Sequence, residues 1–108
     1  MGLKEIFQTP DIDVGVNKCR MTPGGMLLDV RSKIEYDGGH VPGARNVPFP
    51  EVKEKVEKVL RDKEAPIFVY CTRGVYAQKA IKVMRKLGYK QLENIGGFRF
   101  YNGKVERK

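Results

Sequence analysis

Ile67-Phe68-Val69-Tyr70 is the stretch that most narrows what this chain can fold into. Consecutive apolar residues, β-branched and aromatic, suit a strand buried on both faces, the situation inside a parallel sheet. The run ends at Cys71. A short loop, Thr72-Arg73-Gly74-Val75-Tyr76, then leads through Ala77 into a helical pattern from Gln78 to Leu87 that stops at Gly88. In open α/β sheets, ligand sites lie beyond the carboxyl ends of the strands. Cys71 stands at such an end, where loop N–H groups and the start of a helix both favour negative charge. A thiol placed there is expected to react as a thiolate.

The rest of the chain repeats the alternation of strand and helix. Asp11 to Cys19 reads as a short helix begun by Asp11 and weakened by Gly15, and Thr22-Pro23-Gly24-Gly25 reads as a turn. Met26-Leu27-Leu28-Asp29-Val30 is a second buried strand, and Asp29 brings a carboxylate to the same edge of the sheet as Cys71. Ser32 and Glu35 have the spacing of a capping box for a short helix that Gly38-Gly39 ends. A brief strand is expected near Arg45-Asn46-Val47. Glu51 to Asp62 predicts a scaffold helix, with Val52, Val56, Val59 and Leu60 as its apolar stripe and Glu54–Lys58 and Glu57–Arg61 as outer pairs. A last strand, Gln91 to Ile95, leads into Gly96-Gly97. This order implies a parallel sheet covered on both faces.

Composition removes several classes. A chain of 108 residues supports one small domain. Two cysteines are too few for a disulfide framework, no C-x-x-C pair suggests zinc, and no apolar run is long enough to span a membrane. Met1 to Phe7 lacks the apolar core of a secretory signal, and Ile6 breaks the myristoylation pattern. The expected setting is the reducing cytoplasm. The net charge is +8, and the whole excess falls after residue 50. The plain reading is solvated helix faces and a basic tail from Gly103 to Lys108, and the functional one is a field drawing small anions toward Cys71. No recognition motif points to nucleic acid.

Four stretches together resemble a single-domain rhodanese-type sulfurtransferase. They are Leu27-Leu28-Asp29-Val30-Arg31 with Glu35-Tyr36; Gly39-His40-Val41-Pro42-Gly43-Ala44-Arg45-Asn46-Val47-Pro48; Val69-Tyr70-Cys71 with Gly74; and Leu92 through Gly97. They cover residues 26–101 of what is expected to be one domain over 1–108. The resemblance implies a three-layer α/β/α fold with a central parallel sheet of four to five strands. It also implies transfer of sulfane sulfur through a persulfide on Cys71, with no metal or organic cofactor. The donor would be thiosulfate or a persulfide, and the acceptor a thiol, cyanide or a protein. Thr72, Arg73, Gly74, Val75 and Tyr76 would form the persulfide-binding loop, and Asp29, Arg31 and His40 would support it without moving protons.

Two features depart from that pattern. Rhodanese loops often carry arginine directly after the cysteine or at the loop's sixth position, whereas this chain has Thr72 and Tyr76 there and its arginine at Arg73. The aromatic slot after Gly96-Gly97 falls on Tyr101 in place of tryptophan. Arg73 either meets an anionic substrate or points to solvent. A phosphatase or arsenate reductase of the same fold would need C-x5-R, with backbone amides and arginine holding the oxyanion; here the position six after Cys71 is Ala77. A persulfide carrier or binding module is the remaining alternative to an enzyme.

Overall fold

Strand parity decides what each face of the sheet carries, because successive side chains of a strand point to opposite sides. In the computed structural model, which describes residues 10–108, four parallel strands lie in the order β2-β1-β3-β4. They are β1 (Met26–Asp29), β2 (Arg45–Asn46), β3 (Pro66–Cys71) and β4 (Gln91–Gly97). Ile67, Val69 and Cys71 of β3 face one layer, and Phe68 and Tyr70 face the other. The first layer holds α3 (Val52–Val59) and α4 (Val75–Lys86). The second holds α1 (Ile12–Met21), with α2 (Lys33–Gly38) contributing Tyr36 at its edge. This is a three-layer α/β/α arrangement. The reading of Met1 to Phe7 lies outside the described residues.

Local chemistry explains most of the helix limits. The Asp11 carboxylate caps α1 by accepting the N–H groups of Asp13 and Val14. Both halves of the Ser32–Glu35 capping box are present at α2. The expected helix from Glu51 to Asp62 is shorter at both ends. Pro48 precedes and Pro50 lies within a 3₁₀ turn over Phe49–Glu51, and the chain leaves helical geometry at Leu60. Val52, Val56 and Leu60 are fully buried all the same, each contributing about 1.5–3 kcal/mol of hydrophobic burial. The outer pairs also differ, since Lys55 pairs with Glu51 and Lys63 with Glu57. With the helix ended at Val59, Arg61 no longer continues the surface row that Glu57 belongs to. Ala77, Ala80, Ile81 and Met84 are buried along α4 as expected, while Leu87 is only half-buried.

The C-terminal segment is not simply a solvated basic tail. Glu106 and His40 exchange two backbone hydrogen bonds as an antiparallel bridge, and the Lys108 N–H donates to the Asp37 carbonyl. The segment thus pairs with the 38–43 turn through its backbone, and the Glu106 carboxylate adds a bond from the Gly43 N–H at 3.3 Å.

Candidate active site

Cys71 is the last residue of β3 and is almost wholly buried. Its Sγ accepts two backbone hydrogen bonds, from Gly74 N–H at 2.9 Å and from Ala77 N–H at 3.3 Å. The loop achieves this because Gly74 adopts φ +100°, a left-handed conformation that favours glycine. That turn starts α4 at Val75 and wraps its first N–H groups around the sulfur. Among the described residues, the N–H groups of Arg73, Val75 and Tyr76 have no backbone or side-chain acceptor. The sulfur is therefore held by two backbone amides at the start of a helix, an arrangement that favours an anion.

Room for the loop comes from β4. A Cβ on Gly97 would lie 2.4 Å from the Thr72 carbonyl and 2.7 Å from the Arg73 Cα, so only glycine fits beneath the loop. The Arg99 N–H then donates to that same Thr72 carbonyl.

Above Cys71 opens a cleft of about 840 Å³. Cys71, Thr72, Arg73, Val75 and Tyr76 form one wall with Lys79; Val30 to Lys33 with Glu35 form another; Pro48 to Glu51 close the third. Tyr76 stands half-exposed at the mouth, its ring 5.4 Å from Phe49 and beneath the Lys79 ammonium. Arg73 is exposed on the rim and makes no ion pair among the described residues. The cleft is much larger than a small inorganic dianion requires.

The sequence reading brought Asp29 and Cys71 to one sheet edge, and they do share that edge. They occupy opposite faces. Asp29 is paired in register with Tyr70, one residue before Cys71, and is fully buried. Its carboxylate accepts the Arg31 backbone N–H at 2.8 Å and is bound by the Arg31 guanidinium at 2.7 Å. Arg31 also donates to the Gly39 carbonyl at 2.6 Å and stacks over Phe98 at 4.1 Å. Burial works against the charge on Arg31, and the Asp29 carboxylate outweighs it, so its pKa is raised. Next to this pair, burial first and the Asp29 carboxylate second push the Tyr70 phenol far above its usual value. Its oxygen accepts the Val41 N–H at 3.1 Å.

His40 is buried beneath the 38–43 turn and is not among the cleft residues. Its ring stacks on Tyr36 with centroids 3.7 Å apart, and Nδ1 lies 2.8 Å from the Tyr36 carbonyl. Cys19 is buried in the α1 layer, on the far side of the sheet from Cys71. Burial raises its thiol pKa, opposed by the Arg20 charge.

Glu35 and Asn94 touch the loop, although the sequence reading gave neither a role at the site. The Glu35 carboxylate accepts from the Thr72 hydroxyl, and the Asn94 amide donates to the Gly74 carbonyl. Capping-box spacing and the first family-like stretch marked Glu35, and the closing stretch from Leu92 to Gly97 contained Asn94, but neither pattern tied the residue to the Cys71 loop. No three His, Cys, Asp or Glu residues come together as a metal site among the described residues. None of their helices is long and apolar enough to cross a membrane.

Comparison with known proteins agrees with this fold. The family model for the rhodanese-like domain matches residues 13–103. YqhL of Bacillus subtilis is 37% identical over 83 residues, which are 76% of this chain and 64% of that protein. The thiosulfate sulfurtransferase PspE of Escherichia coli is 38% identical over 72 residues, 67% of this chain and 69% of that protein. This chain thus spans about two thirds of the length of each. A solved structure described as a rhodanese with anions from E. coli superposes with a TM-score of 0.70 at 32% identity, covering 77% of this chain and 98% of that one.

Proposed function

The chain belongs to the rhodanese-like domain family, and from that premise we propose that it transfers sulfane sulfur through a persulfide on Cys71. The observation that carries the reading is the pair of N–H groups of Gly74 and Ala77 aimed at Sγ on the floor of an open cleft. Those donors face the sulfur that attacks, and among the described residues no side chain is hydrogen-bonded to Sγ.

The thiolate attacks the outer sulfur of a donor. A Cys71–S bond forms, the donor's S–S bond breaks, and its electron pair leaves with sulfite or a thiolate. The negative charge is now on the outer sulfur, and the N–H groups of Arg73, Val75 and Tyr76, which have no acceptor among the described residues, would bind it. An acceptor thiolate or cyanide then takes that sulfur and returns Cys71 to its starting state. The cycle is a double displacement and uses no cofactor. Asp29, Arg31 and His40 act through the backbone of the surrounding turns, since none of them reaches Sγ.

The cleft suggests a donor class. Tyr76 and Phe49 offer a flat apolar surface at the mouth, with Lys79 and Arg73 beside it. We therefore assign as preferred donor a low-molecular-weight thiol persulfide, larger than thiosulfate and carrying a carboxylate. The two free cysteines suit a cytoplasmic setting. The test is intact mass of the purified protein before and after incubation with thiosulfate or glutathione persulfide, followed by addition of cyanide. One sulfur gained at Cys71 and lost to cyanide supports the enzyme. A sulfur gained but not released to any small acceptor makes the protein a carrier, and none gained refutes the reading.

A further inference from the structure

Asn94 sits in β4 opposite Val69, at the point where the register between β3 and β4 slips. Asn94 pairs with Val69 and Gly96 with Tyr70, leaving Ile95 as the extra residue of a bulge. The Asn94 side chain serves both sides of this irregularity. Its Oδ1 accepts the Gly96 N–H at 2.9 Å, closing the bulge in an Asx turn. Its Nδ2 donates to the Gly74 carbonyl at 2.9 Å. An oxygen facing an N–H and a nitrogen facing a carbonyl leave only one orientation for the amide.

The Gly74 carbonyl belongs to the peptide that ends in the Val75 N–H, and the two point in opposite directions across a trans peptide bond. The same carbonyl accepts the Gln78 N–H at 3.2 Å as the first bond of α4. Gly74 has no side chain with which to cap that helix, and its φ of +100° is one that a glycine can readily leave. The second bond, from Asn94, anchors this peptide from outside the helix. A carbonyl that accepts a hydrogen bond also strengthens the donor at the other end of its peptide.

We propose that Asn94 is a positioning residue for the anionic sulfur of Cys71. By pinning the Gly74 carbonyl, it keeps the Gly74 N–H on Sγ and turns the Val75 N–H toward the cleft. It does so from a strand that contributes no residue to the cleft lining. The assignment rests on Cys71 being the reacting thiol, and its readout is thiol reactivity, so it can fail while sulfur transfer stands.

Asn94→Ser tests it, because a serine hydroxyl can still accept the Gly96 N–H but cannot reach the Gly74 carbonyl, and it adds no charge. Iodoacetamide alkylation is measured against pH in a Cys19→Ser background. The expected result is a rate lower by about three- to ten-fold near neutral pH, the range that loss of one ordinary hydrogen bond allows. The rate should return to that of the parent in alkali, where every thiol is ionised. A profile that superimposes on the parent's, in a protein with an unchanged circular dichroism spectrum, overturns the proposal. Should Asn94→Ser fail to fold, nitrogen-15 NMR of the parent decides. The Asn94 side-chain NH2 and the Gly74 amide should shift with one common midpoint as Cys71 ionises. An Asn94 signal that stays still while Gly74 moves overturns the proposal equally.

Discussion

The Glu35 carboxylate accepts the Thr72 hydroxyl at 3.3 Å, so the capping box of α2 and the loop that begins at Cys71 share one side chain. The other oxygen of the same carboxylate accepts both the Ser32 N–H and the Ser32 hydroxyl. A residue whose spacing marks it as a helix starter is in this way also part of the cleft wall.

This linkage gives stability a specific dependence on pH. Burial raises the Glu35 carboxyl, but the Ser32 hydroxyl and N–H, then Thr72 and the Arg31 charge, outweigh it and hold its pKa below the ordinary value of 4.5. A lowered value means the folded protein holds that proton more weakly than the unfolded chain. The stabilisation is therefore fully present above the ordinary value and is lost as pH falls through the folded one. Glu35→Gln should lower the Tm at neutral pH, and the gap from the parent should narrow below about pH 4. A gap constant across that range would mean that the carboxylate charge contributes nothing.

Cys71 and Cys19 should separate cleanly. Cys71→Ser is expected to abolish thiosulfate:cyanide turnover and sulfur uptake by mass. Cys19→Ser should keep turnover within about two-fold, because Cys19 packs in the opposite layer and its burial disfavours the thiolate. Appreciable activity in Cys71→Ser would remove the persulfide mechanism.

Tyr76→Arg tests the donor assignment at the mouth of the cleft. A guanidinium at that position can hold a sulfonate through paired, charge-assisted hydrogen bonds. The KM for thiosulfate should fall several-fold, consistent with a contact of about 1.5–3 kcal/mol. Turnover with glutathione persulfide should decline as the flat ring surface beside Phe49, against which the larger donor packs, is lost. An unchanged thiosulfate KM in the folded variant would place the donor elsewhere.

Removing one partner from the Asp29–Arg31 pair leaves a buried charge without compensation. Arg31→Leu should destabilise the protein by about 3–5 kcal/mol in urea unfolding, since the Asp29 carboxylate has no access to water. A loss below about 1 kcal/mol would show that the pair contributes no more than a surface ion pair does.

What the sequence by itself determined was the alternation of elements. Apolar runs around Leu28 and Val69, the capping box at Ser32 and the stops at Gly38-Gly39 and Gly88 depend on contacts within a few residues. They therefore specify parallel strands, helices on both faces and a cysteine at a strand end. Tertiary structure decided which groups meet across the sheet. Parity sent Asp29 and Cys71 to opposite faces although both reach one edge, and the shared register between β1 and β3 alone makes that visible. Pro48 and Pro50 reshaped the start of α3, and Glu106 folded a basic tail onto His40 across 66 residues of chain. Asn94 is the clearest case. Its neighbours in sequence read as plain strand, and its two hydrogen bonds exist because a bulge in β4 brings it beside a loop 20 residues away. Partners that distant in sequence leave no local period to read.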